Sequence, residues 1–530
     1  MLSTPRARRG MITSPHHLAS EAGLAVLRDG GNAIEAMVAA ASTIAVVYPH
    51  MNSIGGDGFW LISQADGLVT AIESCGGAGQ RATIDYFLER GCEAMPARGP
   101  LAANTVAGAV GGWATALKLS QDLGGRLPLG RLLEEAVHHA RHGFAVSHSQ
   151  KITTDDKSDE LEAVAGFAET FLQDGSSPAE GTALRQDRLA LSLARLAEAG
   201  LDDFYRGDLA RSIAADLERV GSPVTLSDLE AFKTRQVTPL TTWLTCAQLY
   251  GMPPPTQGVA GLAILGMFDQ LTVPEAEGFD FVHGLVEATK LAYRDRNDHV
   301  TDPDFMQWDP QDALSQERLA AAARKIDPSR AQPWSDPAVA GDTVWLGAID
   351  GDGLAVSYIQ SIYWEYGSGL VLPESGILWQ NRGSSFQLGE DDLHRIQPGR
   401  RPFHTLIPGL AHFKDGRRLV FGCMGGEGQP QIKSAVFARY GLFGQAPQQA
   451  VTAPRWLLGK AWGEDTTTLK MEDRFDPAVI EQLRRAGHVV ELVAPFDELV
   501  AGHAGAVARH ADGLLEGAAD PRSDGSVGCF

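Results

Sequence analysis

The chain has 530 residues, of which 44% are hydrophobic, and a mean hydropathy of -0.11, values typical of a soluble globular protein with a large core. Its formal net charge of -21 argues against nucleic acid or an anionic membrane surface as a partner. The charge leaves a small anionic substrate open, because a binding site can be positive locally.

The five cysteines are widely scattered and contain no C-x-x-C pair. Such a set favours a reducing compartment over a disulfide framework, and we expect Cys75 and Cys423 to be small core residues. The basic N-terminus has no apolar segment of the secretory kind before Pro15, and no run of about 18 apolar residues predicts a membrane span. We therefore expect a cytoplasmic protein.

Two helices are predicted near the N-terminus. Helical spacing of apolar residues predicts the first over His17–Arg28, which ends at Gly30-Gly31. Asn32 can cap the second, Ala33–Tyr48, which is alanine-rich and apolar almost all round. A helix of that composition is expected to be buried between layers.

The Gly-Gly-Asp-Gly turn at 55–58 superficially resembles a phosphate loop. No Lys-Ser/Thr pair follows it, and the next element reads as a strand rather than a helix. We therefore do not expect a phosphate site there.

The middle of the chain alternates predicted elements with polar stretches. Residues 150–182 are the most hydrophilic and suit a surface excursion; Leu244–Tyr250 reads as a strand and Phe279–Asn297 as a long helix. Residues 301–341 are rich in Asp, Pro, Ser and Ala, a composition typical of a flexible segment in which a processing cut would be tolerated.

The segment Gly341–Gly369 reads as a strand (Val344–Ile349), a tight Asp-Gly-Asp-Gly turn and a second strand (Leu354–Ser361). A cut between Asp342 and Thr343 would give the threonine a hydroxyl and a free α-amine, which could act as base for that hydroxyl. The pair can equally be only a turn that leads into a β-branched strand.

A second glycine-rich loop, Met424–Gly428, lies between a predicted strand (Arg418–Cys423) and a helix from about Gln431. That order presents backbone N–H groups to an anion, as a phosphate cradle or an oxyanion hole. The histidines show no metal-ligand spacing, and neither H-E-x-x-H nor a dinucleotide fingerprint occurs. We therefore predict neither a metal nor an organic cofactor.

Several motifs occur together in one order along nearly the whole chain. They are Ala19-Ser20 with GGNAIEA (Gly30–Ala36), VYPHMNSIGGDGF (Val47–Phe59), MPPPTQG (Met252–Gly258), EATKLAYRDR (Glu287–Arg296), DPDF (Asp302–Phe305), GDT (Gly341–Thr343), GSG (Gly367–Gly369), MGGEGQPQ (Met424–Gln431) and DPRSDGSVG (Asp520–Gly528). By this set the chain resembles the γ-glutamyltranspeptidase family of N-terminal-nucleophile hydrolases. The resemblance implies an α+β fold with four layers, αββα.

The resemblance also implies an inactive precursor that cleaves itself before Thr343. The products would be a large subunit of residues 1–342 and a small subunit of residues 343–530, which stay together as a heterodimer; a dimer of these heterodimers is left open. Thr343 would be the nucleophile and its α-amine the base, Gly425 and Gly426 would form the oxyanion hole, and Ser361 would support the nucleophile.

Five positions depart from the transpeptidase pattern. Cys75 replaces the arginine that holds the glutamyl α-carboxylate, and Ser385 replaces the aspartate that receives the α-ammonium. His404-Thr405 stand where the family has paired serines, and Tyr363 replaces an asparagine. An α-amino acid head group needs partners for both of its charges, so these departures argue against a γ-glutamyl substrate.

The segments GDTVWLGAID, SIYWEYGSG and WQNRGSSF are most similar to the sub-branch of oxamate amidohydrolases and transpeptidase-like relatives. The resemblance implies hydrolysis of a small amide such as oxamate to oxalate and ammonia. Arg382 is the candidate for its carboxylate, with Tyr363, His404, Thr405 and Ser385 lining the pocket. The alternatives are a γ-glutamyl hydrolase or transferase, a glutaryl-cephalosporin-type acylase, and an uncleaved relative without activity.

Overall fold

The computed structural model describes residues 3–334, 342–459, 467–497 and 502–530. Its strands, in chain order, are β1 Arg6–Ala7, β2 Gly10–Ser14, β3 Asp57–Ser63, β4 Val69–Ser74, β5 Phe144–Ala145, β6 Ala183–Leu184, β7 Arg235–Val237, β8 Leu240–Trp243, β9 Ala247–Gly251, β10 Asp342–Asp350, β11 Ala355–Tyr363, β12 Gly409–Phe413, β13 Arg418–Cys423, β14 Trp456–Leu458, β15 Leu469–Glu472, β16 Val490–Val493, β17 Ala504–Arg509, β18 Leu515–Ala519 and β19 Ser526–Cys529.

The helices in the same part of the chain are α1 His17–Arg28, α2 Ala33–Val47, α3 Ile84–Leu88, α4 Ala109–Asp122, α5 Leu129–Leu132, α6 Glu134–His142, α7 His148–Leu161, α8 Phe167–Phe171, α9 Asp187–Ala199, α10 Asp203–Arg206, α11 Asp208–Val220, α12 Leu226–Ala231, α13 Gly258–Phe268, α14 Phe279–His299, α15 Pro310–Ala313, α16 Gln316–Ala323, α17 Gln429–Phe437, α18 Pro447–Thr452 and α19 Pro477–Ala486. None of them is long and apolar enough to cross a membrane.

Two seven-stranded sheets form the centre of the molecule. Sheet I has the strand order β19-β2-β10-β11-β3-β4-β7, and sheet II has the order β1-β18-β17-β13-β12-β9-β8. Neighbouring strands are antiparallel in both sheets. Each sheet combines strands from before and after Thr343.

The layers follow from three buried clusters. One joins the facing sides of the two sheets and includes Phe59, Trp345 and Val420. A second packs α1, α2 and α4 against sheet I, and a third packs α13, α14 and α17 against sheet II. The result is an α+β fold with two antiparallel sheets between helical layers, which confirms the αββα prediction.

Trp345 fixes how the strand after Thr343 packs between the sheets. Its ring lies where a Cβ at Gly422 or Gly505 would stand, only 2.2 and 2.6 Å from ring atoms. Its Nε1 donates a hydrogen bond to Ser357 Oγ at 2.9 Å, on the neighbouring strand β11. Glycine at both positions of sheet II therefore leaves room for the ring and sets the spacing of the two sheets beside β10.

The two N-terminal helices agree with their prediction. Asn32 and Glu35 form a capping box at the start of α2, and every residue of α2 is buried. The carboxylate of Asp350, at the end of β10, accepts a hydrogen bond from Ala33 N at 3.0 Å and ties this helix to sheet I.

The predicted strand Leu244–Tyr250 is wrong in its bounds. The structure has two strands here, β8 and β9, which pair as a hairpin. The turn between them is fixed by Asp269, whose carboxylate accepts hydrogen bonds from Thr245 N and Thr245 Oγ1, both at 2.7 Å. A side chain distant in sequence thus breaks what reads as one apolar run.

Residues 150–182 lie mostly at the surface, as predicted, but they are more structured than their composition indicates. Helix α7 runs through the polar sequence, and Leu161, Phe167 and Phe171 form a buried cluster with Tyr366. The apolar residues of this segment are few, but the fold gathers them on one side.

Residues 301–334 are also more ordered than their composition indicates. They form α15 and α16, and Leu314 and Leu319 are buried against α13 and α14. The remainder of the predicted flexible segment, residues 335–341, lies outside the described residues.

Candidate active site

Thr343 lies at the start of β10, where the strand is irregular. Asp342 pairs with Tyr363 and Val344 with Gln360, so the register shifts between residues 342 and 344 and Thr343 occupies a bulge. The Thr343 side chain is buried, with 1% exposure, and Gln429 Nε2 lies 3.4 Å from its Oγ1 as a hydrogen-bond donor. A bulge redirects a side chain out of the regular strand alternation, which suits a reactive hydroxyl.

Ser361 lies in β11, two residues before the strand ends, and pairs in register with Asp57 of β3. Its Oγ accepts a hydrogen bond from Tyr363 N at 2.8 Å. The serine thereby shapes the strand end that faces residue 342.

Arg382 and Tyr363 form a buried stack. The guanidinium carbon lies 3.7 Å from the centre of the Tyr363 ring, and Arg382 is 1% exposed. Arg382 Nη2 donates to Thr405 Oγ1 at 3.3 Å, whereas Nη1 is buried without a hydrogen-bond partner among the described residues. Burial lowers the pKa of Arg382 to about 10, which leaves the group charged at neutral pH.

His404 lies beside Asp57 at the same site, with Nε2 3.3 Å from Asp57 Oδ2. Burial, together with the charges of Arg382 and Arg401, keeps the pKa of His404 well below its ordinary value, so the imidazole is neutral. Burial raises the pKa of Asp57 to about 7, an effect that the charge of Arg382 and the N–H of Gly108 partly offset. Asp57 can thus change charge near neutral pH.

Ser385 hydrogen-bonds the backbone next to Arg382. Its Oγ donates to the backbone carbonyl oxygens of Arg382 and Phe403, at 3.0 and 3.3 Å. These bonds close the short helical turn Arg382–Ser385, so the serine orients the segment that carries Arg382.

Gly425 and Gly426 form the turn between β13 and a short 3₁₀ turn that leads into α17. Both have left-handed backbone angles, with φ of 124° and 52°, a conformation that favours glycine. Among the described residues, no backbone group accepts a hydrogen bond from either N–H. Two adjacent free N–H groups can stabilise an oxyanion.

Polar side chains that sequence reasoning did not single out hold this turn. Gln257 Nε2 donates to Gly426 O and to Thr405 O, both at 3.0 Å. Arg296 donates to Gln257 Oε1 at 2.7 Å and to Glu427 Oε2 at 2.6 Å. The Gly425-Gly426 turn, the segment at Thr405 and helix α14 are therefore linked through one buried amide.

Three further site residues were missed, although their motifs were noted. Asp57 lies in the Gly-Gly-Asp-Gly turn, whose sequence indicated only a superficial resemblance to a phosphate loop. The glycines of that turn allow close packing, because a Cβ at Gly56 would lie 2.2 Å from Ser361 O. Gln429 and Arg296 lie in the GGEGQPQ and YRDR motifs, whose polar residues were the available signal.

Cys75 and Cys423 are buried core residues, as predicted. Burial raises the pKa of each thiol above its ordinary value, so neither is a thiolate near neutral pH.

Within the described part of the chain, the fold brings together one group of possible metal ligands that the spacing of histidines along the sequence does not show. His283 and Glu287 of α14 and His488 place one ligand atom each within 4.8 Å of one another. Their atoms are already engaged: His283 Nδ1 and His488 Nε2 form a hydrogen bond of 2.9 Å, and Glu287 accepts from Lys290 Nζ at 2.6 Å. The ammonium opposes a cation at this position, so we interpret the cluster as a buried hydrogen-bond network.

The family model "Gamma-glutamyltranspeptidase" matches residues 19–530. The oxamate amidohydrolase proenzyme of Klebsiella pneumoniae subsp. pneumoniae is 50% identical over 528 residues, 99% of each chain. The glutathione hydrolase-like YwrD proenzyme of Bacillus subtilis is 39% identical over 98% of each chain. Among solved structures, a cephalosporin acylase from Bacillus halodurans superposes with a TM-score of 0.91 at 32% identity, covering 100% of this chain and 97% of the other.

Proposed function

Because the chain belongs to the γ-glutamyltranspeptidase family, we propose that it is a self-processing amidohydrolase whose mature form converts oxamate to oxalate and ammonia. Thr343 is its nucleophile, Gly425 and Gly426 its oxyanion donors, and Arg382 its partner for the substrate carboxylate. The relative at 50% identity carries the name oxamate amidohydrolase proenzyme, and the similarity extends over both full chains.

Maturation begins when Thr343 Oγ attacks the carbonyl carbon of Asp342. The hydroxyl proton passes to the amide nitrogen as the C–N bond breaks, which leaves Asp342 as an ester on Oγ. Water then hydrolyses the ester and releases the Asp342 carboxylate and the Thr343 hydroxyl. The products are residues 1–342 and 343–530, with a free α-amine on Thr343.

Turnover uses the same hydroxyl. The α-amine accepts the proton of Oγ while Oγ attacks the amide carbon of the substrate. The N–H groups of Gly425 and Gly426 bind the oxyanion, an interaction worth about 3–4 kcal/mol per donor in comparable sites. The amine returns the proton to the departing ammonia, and water hydrolyses the acyl-enzyme with the amine again as base.

The substrate assignment rests on the buried guanidinium of Arg382, only one of whose Nη groups donates a hydrogen bond to a described residue. Its Nη1 has no described hydrogen-bond partner although the group is fully buried and charged. A buried charge without a partner is costly, and a substrate carboxylate would relieve that cost. Thr343, Tyr363, Arg382, His404 and Thr405 are all at most 3% exposed, which favours a substrate as small as oxamate over a peptide.

A γ-glutamyl substrate is less well supported. Cys75 is a neutral thiol in the core and Ser385 is bonded to two backbone carbonyl groups. Neither can bind one charge of an α-amino acid head group as the residues they replace would.

We also propose a reducing compartment for the protein. All five cysteines are free thiols, which agrees with that proposal.

The test is ammonia release from oxamate by protein whose intact mass has first been recorded under denaturing conditions. We expect two species that divide between Asp342 and Thr343, and turnover of oxamate but not of oxamide, its neutral analogue. γ-Glutamyl-p-nitroanilide and glutaryl amides serve as comparison substrates. Faster turnover of either than of oxamate would replace the assignment, and an uncut, inactive protein would remove it.

A further inference from the structure

We propose that helix α14 (Phe279–His299) positions the precursor for its own cleavage, by holding the segment upstream of the cleaved bond and the oxyanion turn in one rigid frame. The inference rests on the proposed self-processing. It assigns a role in maturation to Glu287, Lys290 and Arg294, which have no part in turnover.

The first arm of this frame holds the peptide unit of Gln332. Gln332 N donates to Glu287 Oε2 at 3.0 Å, and Lys290 Nζ donates to Gln332 O at 2.6 Å. The same ammonium donates to Glu287 Oε1 at 2.6 Å, and both charged side chains are at most 3% exposed. A buried ion pair therefore binds both the N–H and the carbonyl oxygen of one residue, a geometry that allows little movement.

Further contacts extend this arm toward the cut. The exposed Arg294 donates to Gln332 Oε1 and to Pro333 O, each at 3.3 Å. The ring of Trp334 lies 6.2 Å from that of Tyr293. Eight residues, 335–342, then remain before the cleaved bond, and a chain of that length can span at most about 29 Å.

The second arm reaches the oxyanion turn from the same helix. Tyr293 donates its hydroxyl hydrogen to Glu427 O, and Arg296 binds Glu427 Oε2 at 2.6 Å. Arg296 also binds Gln257, which donates to Gly426 O. Glu287 and Arg296 are nine residues apart, about 14 Å along a continuous helix, so the two arms cannot move independently.

This arrangement matters for the cut because the reaction is intramolecular. Thr343 Oγ attacks the peptide bond that directly precedes it, so the rate depends on the backbone angles at residues 342 and 343, and anchoring the upstream chain restricts those angles. Once the bond is broken, the upstream segment takes no part in turnover. The oxyanion turn still takes part in turnover. Variants of the upstream arm should therefore slow cleavage alone, whereas variants of the oxyanion arm should impair both cleavage and turnover.

The experiment follows cleavage during cell-free synthesis of the full chain, by intact mass against time, and then kcat/KM for oxamate on fully cut protein. Glu287→Gln and Arg294→Ala weaken the upstream arm, the latter from the surface and without disturbing the core. Arg296→Lys weakens the oxyanion arm. Glu481→Gln, which removes an exposed ion pair with Arg485 on α19, is the control.

We expect Glu287→Gln and Arg294→Ala to slow cleavage, the former by about tenfold or more because it removes hydrogen bonds to a charged group. Their fully cut forms should keep kcat/KM within about twofold of the parent, whereas Arg296→Lys should lower both the rate of cleavage and kcat. Cleavage of both upstream variants at the parent rate, or equal losses in cleavage and turnover, would overturn the inference. A parent protein that never cuts would instead overturn the proposed function.

Discussion

Arg382 lies over the ring of Tyr363, with its guanidinium carbon 3.7 Å from the ring centre. Tyr363 pairs with Asp342 across the strands and has a φ of 84°, which is rare for a bulky residue. Such strain persists where the surrounding structure over-determines it, and it is often found at functional sites. The unusual backbone of Tyr363 therefore positions the ring that contacts the buried guanidinium, across the strands from Asp342.

Arg382→Lys should lower kcat/KM for oxamate by about 10- to 150-fold, mainly through KM. A lysine keeps a positive charge but loses the planar pair of donors and the stacking on Tyr363. Steady-state kinetics with oxamate measures the effect. Arg417→Lys, which replaces an arginine stacked on Phe413 far from the site, is the matched control and should leave the kinetics unchanged. Equal losses in the two variants would exclude a specific role for Arg382.

Thr343→Ala should leave a single uncut chain without activity, because both cleavage and turnover need the hydroxyl. Thr343→Ser should still cleave the chain, but more slowly, because serine lacks the γ-methyl group that restricts rotation about χ1 in threonine. Mass spectrometry of denatured protein distinguishes the two results. An alanine variant that divided at the same bond would remove Thr343 from the mechanism.

KM for oxamate should rise as the pH increases from about 6 to 8. The pKa of Asp57 is about 7, so the carboxyl is neutral below that pH and becomes an anion above it. The new negative charge opposes the substrate carboxylate at Arg382. Asp57→Asn should flatten the rise; the dependence is measured as KM against pH.

Asp57 should also make the stability of the folded protein depend on pH. A carboxyl whose pKa is raised by folding binds its proton more tightly in the folded state, so its contribution to stability falls between pH 4 and 7. Asp57→Asn should therefore gain melting temperature over the parent most at high pH. A parent KM that is constant or decreases with pH would show that Asp57 does not face the substrate.

Gly425→Ala should lower kcat by about 100- to 1,000-fold, the loss typical of one oxyanion donor. A side chain disfavours φ of 124°, and its Cβ would lie 2.9 Å from Ile432 Cδ1, so the turn must change and its N–H must rotate away. Gly67→Ala, at another left-handed glycine with open space around it, is the control for backbone strain alone. If both variants lost the same activity, the N–H of Gly425 would have no special role.

Asp520→Asn should destabilise the protein by about 3–5 kcal/mol, the usual result of removing one partner from a buried ion network. Its carboxylate lies 2.5 Å from Arg455 and 3.1 Å from Arg522, all at most 1% exposed. Thermal unfolding measures the loss. Glu481→Gln, at a surface pair, should change the melting temperature little.

Local sequence signals were sufficient for much of the fold. The capping residues of α2, the Asp-Gly turn between β10 and β11 and the glycine turn before α17 act through neighbours in the sequence. The strand Leu244–Tyr250 was wrong in its bounds because a distant group decides them: Asp269 fixes the turn within that run. In residues 150–182, packing against Tyr366 buries a few apolar residues of a segment that otherwise lies at the surface. No window of sequence contains both partners.

The same limit applies to the site. Thr343, Arg382 and the glycine pair could be found because their motifs have recognisable order. Asp57 could not be assigned a role, since burial in the folded protein raises its pKa and the charge of Arg382, 325 residues away, only partly offsets that rise. Gln257 acts only because helix α14 and two loops meet at its amide.

Both sheets contain strands from before and after Thr343. β2 lies between β10 and β19, and β9 pairs with β12, so strands from each product of the cut are hydrogen-bonded to strands of the other in both sheets. The fragments therefore cannot dissociate without breaking hydrogen bonds in both sheets. Gel filtration under native conditions would give the same size before and after cutting, and each half made alone would expose strand edges prone to aggregation.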